Sequence, residues 1–527
     1  MSGETRAETT ARRVLSQTSI RQIVEDVRGA WRNVGMAIAV VRGHEVLFCD
    51  GFGVCQWGDD TANDANTLFQ IGSTTKAFTA AAVGVLVDRG ALTWDDPISN
   101  HVPDFQLSDP WLTRNVTIRD ALCHRSGVVG SYFPSLALSS ADQVIRQARY
   151  VKIEGAFRAC YRYSNLMYAV VGRLIERASS RRWADFIREE LLEPLNMARS
   201  TTSPYDCWDA EWIAPTFLGA APAAASPNRC NARAANIAMP HVRDEQDAER
   251  TLSWQSYDNA AAAGALVSSA ADMVPWLMCN LHQGESGGHR LIEEPTLREI
   301  HRTQNLHIDT SQYPFDTVGE RYALGWRRTR YRGLVHLSHG GGMIGFPVYV
   351  TLIPEEKLGV AVLANSAHMG GAAFHKAISF SIVDRAVNAS IRDWSSELIA
   401  RARAVQQQAR DEDDQWERSR LLNSPPSLPL ERYLGTYEDS REGSGPVTIT
   451  ENTSGLALRF AGHGAFSANL SHWHGDIFRL MPPIGVRDVL GGLGQRFVRF
   501  EVGPAGSPTA LWAFNSRLDR TSQPATA

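Results

Sequence analysis

Lysine is scarce in this chain: only Lys76, Lys152, Lys357 and Lys376 occur among 527 residues, and arginine supplies the remaining basic side chains. A lysine that falls inside a motif is therefore more informative than usual. Paired cysteines are also lacking. The seven, at 49, 55, 123, 160, 207, 230 and 279, stand singly, without the spacing of a zinc module or a disulfide framework. No stretch approaches the roughly 18 consecutive apolar residues of a membrane-spanning helix. The polar segment from Met1 to Gln17 has no apolar run of the kind a secretory signal carries. Nor is there an excess of positive charge: Lys+Arg 53 against Asp+Glu 57 leaves a formal charge of −4. Binding to phosphate backbones as the main task is thereby excluded. A soluble, cytoplasmic protein is expected, with no membrane and no nucleic acid among its partners.

What is present is ordinary globular text, 43% hydrophobic and 21% charged, on a chain long enough for more than one domain. Ile20, Ile23, Val24, Val27 and Trp31 recur at spacings of three and four, which predicts an amphipathic helix. Met36–Val41 and Val46–Cys49, joined by Arg42-Gly43-His44-Glu45, predict a hairpin. A helix from about Thr74 to Val87 follows, stopped at Arg89-Gly90. Helix, antiparallel strands, then helix point to an α+β domain. From Pro204 to Asp272 the text is irregular, and Trp208, Trp212 and Trp254 are candidates for a pocket wall or for packing anchors. Strands are predicted at Leu334–Ser338, Phe346–Ile353 and Leu358–Leu363, and a helix at about Ala372–Val387. The charged stretch Ser395–Arg420 reads as a solvated helical connector that Pro425-Pro426 closes. Short alternating runs at Val447–Thr450, Leu456–Phe460, Phe497–Val502 and Ala510–Phe514 predict an all-β module, barrel or sandwich. The expected division is 1–390 for the main domain, 391–424 for a helical linker and 425–527 for the β-module.

Three short motifs can carry chemistry. Ser73-Thr74-Thr75-Lys76 opens a predicted helix, and residues three apart share a helical face. The Lys76 amine can then sit beside the Ser73 hydroxyl, a poor nucleophile until a base takes its proton. A helix start also leaves the Ser73 N–H free to stabilise an oxyanion. Taken alone, the same four residues describe an N-cap serine and a surface lysine. Tyr163-Ser164-Asn165 offers a phenol for proton transfer and an amide for a substrate carbonyl or for Lys76, but equally a turn before a helix. His339-Gly340-Gly341-Gly342 offers close backbone approach and unobstructed N–H donors, but equally a flexible turn.

Their order and spacing change the balance. Over roughly residues 15 to 390 the chain resembles the penicillin-recognising serine hydrolases: class C β-lactamases, DD-peptidases and related esterases. Further phrases carry the likeness: Leu92-Thr93-Trp94-Asp95-Asp96-Pro97, the stretch from Thr117 to Gly127, the stretch from Gly264 to Met273, and Tyr322-Ala323-Leu324-Gly325-Trp326. The resemblance implies an α+β domain of β-lactamase/transpeptidase type, with Ser73 as acylated nucleophile, Lys76 its partner and Tyr163 the proton shuttle. Asn165, His339, Gly340 and Gly341 would contact substrate, and the N–H groups of Ser73 and Gly342 would form the oxyanion hole. No metal or cofactor is implied. Histidine stands where β-lactamases carry the lysine of Lys-Thr-Gly, and is mostly neutral at pH 7; Pro347 follows where relatives often have a serine. Both departures argue against penicillin turnover. The C-terminal module, with Tyr433-Leu434-Gly435-Thr436-Tyr437 near its start, resembles the lipocalin-like β-domain appended to some peptidases of this family.

Other candidates weigh less. Gly284-Glu285-Ser286-Gly287-Gly288 matches a nucleophile elbow, which must join a strand to a helix, yet a helix precedes it here. His44-Glu45 opens like a zincin helix, but Phe48 occupies the second histidine's place. His472 and His474 read as a surface pair and His124 as a structural loop residue. The sequence therefore predicts a metal-independent serine hydrolase acting through an acyl-enzyme on amide bonds of small linear peptides, with D- or non-standard residues the preferred class. A carboxylesterase is the alternative; a non-catalytic peptide-binding relative fits less well, because Ser, Lys and Tyr are all retained. A working β-module on a supporting hydrolase domain is a further reading. Self-association is compatible with the sequence.

Overall fold

The computed structural model describes residues 15–128, 140–214, 236–244, 246–305, 321–367, 373–390, 392–439, 446–460, 466–482, 496–514 and 516–522. Cys230, the Ala/Pro-rich stretch 220–227 and the last five residues lie outside them.

The first predicted hairpin forms as β1 (Gly35–Arg42) and β2 (Glu45–Gly53). Further along come β3 (Arg321–Tyr322), β4 (Arg327–Tyr331), β5 (Leu334–Met343), β6 (Phe346–Ile353) and β7 (Leu358–Ala364). Together they make one sheet in the order β3-β4-β5-β6-β7-β1-β2. The N-terminal hairpin joins the late strands by antiparallel pairing of β1 with β7, from Met36↔Ala364 to Arg42↔Leu358. β1 shows why this sheet is a middle layer. Ala37, Ala39 and Val41 enter the core on one face, while Met36, Ile38 and Val40 enter a separate core on the other, as a period of two requires when both faces are covered.

One face is covered by α1 (Gln17–Trp31), α6 (Phe374–Ala386) and the first turns of α7 (Trp394–Ser419). The other carries the helical region containing α2 (Thr75–Asp88), α3 (Asn165–Ser179), α4 (Ala270–Leu281) and α5 (Glu294–His301). α2 is buried from Thr75 to Leu86, and a helix buried all round belongs in a core. Phe78 stacks on Trp276 with ring centroids 3.8 Å apart. Within such a helix Lys76 is the residue that burial alone would reject.

Trp208 and Trp254 are fully buried and packed against each other, with centroids 6.3 Å apart. They serve as packing anchors, which settles their two readings. Gly284–Gly288 spans a small hairpin, Glu285–Ser286 with His289–Arg290, directly after α4; it is not a strand-to-helix elbow.

After α7 the chain forms a closed eight-stranded barrel from Gly435–Glu438 to Ser516–Ser522, so the choice between barrel and sandwich falls to the barrel. Its strands alternate inward and outward, as in Ser467–His474, and the interior holds Tyr433, Tyr437, Phe478 and Phe500 among aliphatic side chains. Glu417 of α7 pairs with Arg479 at 2.8 Å, and Trp416 lies against Phe497. Arg420, just beyond α7, donates to the Trp473 carbonyl at 2.6 Å. Among the described residues the six cysteines are free, no cluster of three or more His, Cys, Asp or Glu could hold a metal ion, and no helix is long and apolar enough to cross a membrane.

Candidate active site

Ser73 lies in a single 3-10 turn, Gly72–Thr74, that leads directly into α2. Gly72 has a φ of +51° and abuts the Gly342 amide so closely that a Cβ would meet it at 2.7 Å. A side chain there is excluded both by the left-handed backbone and by the space. One turn on, Lys76 has no exposed surface. Its Nζ lies 3.1 Å from Ser73 Oγ, 2.7 Å from Asn165 Oδ1 and 2.7 Å from the Ala263 carbonyl oxygen. The Tyr163 and Tyr168 rings flank the amine at 4.8 and 5.2 Å.

Tyr163 and Asn165 arrive together because Ser164 caps α3: its hydroxyl accepts the Met167 N–H, and its own N–H donates to His124 Nδ1 at 3.0 Å. The Tyr163 phenol lies beside the Ser73 hydroxyl, and both line the same cavity. Ser73 therefore sits between an amine and a phenol. Burial drives the Lys76 amine well below the usual lysine range. Burial also raises the Tyr163 phenol to about 12, against opposing effects from the neighbouring Ser73 hydroxyl and Arg327. Both shifts favour the uncharged form: an amine with a lone pair free to take the Ser73 proton and a phenol that keeps its own.

The glycines behave differently from a turn. His339–Gly342 continue β5, with Gly340↔Tyr349 and Gly342↔Pro347 paired to β6. Pairing with β4 ends at Arg327↔Ser338, so beyond Ser338 the strand edge is open toward the start of α2. Gly341 is packed on the Ile71 carbonyl with no room for a Cβ, while Gly342 is exposed. Low strand propensity makes three glycines read as a turn; here they are required because strand and helix start nearly touch.

Ser73, Tyr163 and His339–Gly342 line one cavity of about 330 Å³, together with Met343, Pro347, Tyr349, Arg327, His375 and Lys376. Its charged lining residues are Arg327 and Lys376, both cationic. Asn165 lies behind the cavity, with its oxygen on Lys76. His339 is 2% exposed; Tyr322 Oη lies 2.8 Å from its Nε2, and its Nδ1 is 2.7 Å from the Gly340 carbonyl. Burial foremost, then the charges of Lys76 and Arg327, hold this imidazole well below the ordinary histidine range. His124, a loop residue with φ +61°, is buried beside the Tyr163 ring at 4.3 Å, so it is both structural and part of the site's wall.

Arg327, Tyr349, His375 and Lys376 were not singled out by motif reading. The scarcity of lysine was the one signal for Lys376; Arg327 carries none, since it reaches the site through the β4–β5 hairpin twelve residues before His339.

Comparison with known proteins now bears on this arrangement. A family model described as "Beta-lactamase" matches residues 20–379. The chain belongs to the beta-lactamase family. A second model, a domain of unknown function (DUF3471), matches 419–523 and so spans the barrel. The chain is 27% identical to "Unguisins hydrolase ungD" of Aspergillus violaceofuscus, over 93% of this chain and 86% of that one. Among solved structures it resembles the octameric penicillin-binding protein homologue from Pyrococcus abyssi, at TM-score 0.60 and 19% identity, covering 95% of this chain and 99% of that one. It also resembles the D-amino acid amidase from Ochrobactrum anthropi SV3, at TM-score 0.53 and 21% identity, over 70% and 98%. This beta-lactamase family member is thus a hydrolase of β-lactamase fold with an appended barrel.

Proposed function

We propose that the protein hydrolyses amide bonds of small linear peptides, including D- or non-standard residues, through an acyl-enzyme on Ser73. The observation that carries this reading is the Ser73 hydroxyl held between the buried Lys76 amine, at 3.1 Å, and the Tyr163 phenol, at the mouth of the glycine-edged cavity. In the neutral amine two N–H bonds point at the Asn165 and Ala263 oxygens, and the lone pair is left for the Ser73 proton. Ser73 Oγ attacks the amide carbon as its proton passes to Lys76. The oxyanion would lie against the N–H groups of Ser73 and Gly342. Tyr163 then protonates the departing amine. In deacylation the Tyr163 phenolate takes a proton from the attacking water, and the Lys76 ammonium returns its proton to Ser73 Oγ. All charges and protons are thereby restored.

Two features support peptides as substrates. No carboxylate lines the cavity among the described residues, whereas Arg327 and Lys376 do, which favours substrates presenting an anionic group over a free ammonium. The relative named as an unguisins hydrolase and the neighbouring D-amino acid amidase point the same way. The test is a panel of L- and D-configured dipeptides and tripeptides, their p-nitroanilides and p-nitrophenyl esters, assayed with wild type and Ser73→Ala. Cleavage of D-containing peptides that is lost in the variant is expected. Cleavage of esters alone would make the protein a carboxylesterase and overturn the amide reading.

A further inference from the structure

We propose that Tyr322 is a positioning residue that fixes the tautomer of His339, so that this imidazole orients the open edge of β5 rather than binding substrate. Proton counting fixes the tautomer. The Gly340 carbonyl, 2.7 Å from His339 Nδ1, can only accept, so Nδ1 carries a hydrogen. In the neutral ring Nε2 is then a bare lone pair, and it needs a donor because His339 is buried. Tyr322 Oη lies 2.8 Å away and supplies one. The neighbouring Tyr168 hydroxyl gives its own proton to the Leu122 carbonyl at 2.7 Å, and Nε2 takes the Tyr322 proton.

The surroundings hold this state. The charged and titratable groups facing the ring are Lys76 of α2, Arg327 of β4, Tyr322 of β3, and Tyr163 and His124 beside the start of α3. None is a carboxylate that would stabilise an imidazolium. Tyr322 is itself pinned: its backbone pairs with Arg327 across the β3–β4 turn and with Asn305. Both ring nitrogens of His339 are thus engaged by the protein, and neither is left to contact a substrate.

The consequence falls on the glycine edge. Along a strand, residues two apart send their N–H and C=O groups to the same side, so the Gly340 carbonyl held by His339 and the Gly342 N–H share an edge. Fixing Gly340 fixes the direction of the amide that faces Ser73.

Ring 15N chemical shifts of histidine-labelled wild type, with His339 assigned by its loss in His339→Gln, read the tautomer directly. A protonated Nδ1 and a bare Nε2, unchanged between pH 6 and 8, are expected; a protonated Nε2 overturns the proposal. The kinetic arm, which alone rests on Ser73 being the nucleophile, uses p-nitrophenyl acetate. Tyr322→Phe and His339→Leu are expected to lower kcat about 10- to 100-fold, the scale of a misplaced reacting group, with KM unchanged. His339→Gln keeps one donor and one acceptor and should recover kcat relative to His339→Leu. A rise in KM in both His339 variants, with Tyr322→Phe like wild type, would make His339 a substrate ligand and overturn the assignment. If the wild type shows no Ser73-dependent turnover, the proposed function fails while the ring shifts still decide the tautomer.

Discussion

The site around Ser73 and the interior of the C-terminal barrel treat polar groups in opposite ways. In the barrel the buried phenols are closed off locally: Tyr437 donates to the Tyr433 carbonyl at 2.8 Å, and Tyr433 reaches Asp476 at the barrel end. Aromatic and aliphatic side chains make up its hydrophobic cluster, with Asp439 and Ser516 also buried in the module. Around Ser73 an amine and two imidazoles are buried instead without a carboxylate to neutralise them, and His124 Nε2 has no partner among the described residues. Burial that raises or lowers a proton affinity costs stability, and it is tolerated where the shifted group is used. The barrel is organised for packing, and the Ser73 site holds the shifted groups that the proposed proton transfer requires.

The sharpest break of this contrast is Ser73→Ala. Turnover of any accepted substrate should fall by about 10³-fold or more, as loss of a nucleophile does, with thermal stability unchanged; steady-state kinetics and a melting curve check both. Lys76→Met should reduce kcat by about 10²–10⁴-fold, the range for a lost proton acceptor. It should also alter the pH dependence of stability. Lys76 has a lowered folded pKa, so its contribution is present above the unfolded value of 10.5 and is lost as pH falls through the folded one. Across that interval the native state of wild type holds fewer protons, and stability rises with pH by about 1.4 kcal/mol per unit from this group. The Met variant should lack that slope in denaturant titrations run downward from pH 10.5.

In the barrel, Phe500→Ala should destabilise that module by about 3–5 kcal/mol through the cavity it leaves, while Ser73 remains reactive below the transition; calorimetry with a parallel labelling assay separates the two. Acid should affect the domain of the site more than the barrel. Burial lowers His241 to about 4 and His301 and His336 to about 3, and also holds His124, His339 and His375 well below the ordinary histidine range. Each contribution is complete above 6.5 and declines as pH falls toward the folded value, at about 1.4 kcal/mol per unit. An acid titration followed by far-UV circular dichroism should show the loss beginning below pH 6.5. The smallest effect is expected for Arg479→Ala, whose partly exposed pairing with Glu417 is worth about 0.2–1 kcal/mol.

The elements with a clear period were legible in the sequence. The helix through Ile20 and Trp31, the β1–β2 hairpin, α2 and the long helix before the barrel all lie where their patterns place them. The juxtaposition of Ser73, Lys76, Tyr163 and Asn165 was legible too, since a serine and lysine three apart at a helix start can share a face and the family's order of motifs brings the tyrosine and asparagine to them. The glycine run was misleading: its strand is imposed by the approach of Ile71 and Gly72, a tertiary constraint that local propensity does not contain. Arg327 and Lys376 were hidden for a related reason. One enters from a neighbouring strand and the other from the first turn of α6, and no local spacing links either to Ser73. The engagement of both His339 nitrogens is equally a property of the packed structure, since Tyr322 lies seventeen residues away in a phrase whose family likeness carries no hint of that contact.

The central claim is that burial makes Ser73 a nucleophile through Lys76 and Tyr163, and intact mass after exposure to a fluorophosphonate probe tests it most directly. Wild type should gain one adduct, mapped to the peptide containing Ser73, and Ser73→Ala should gain none. An unmodified wild type, or an adduct that survives in Ser73→Ala, would contradict the account.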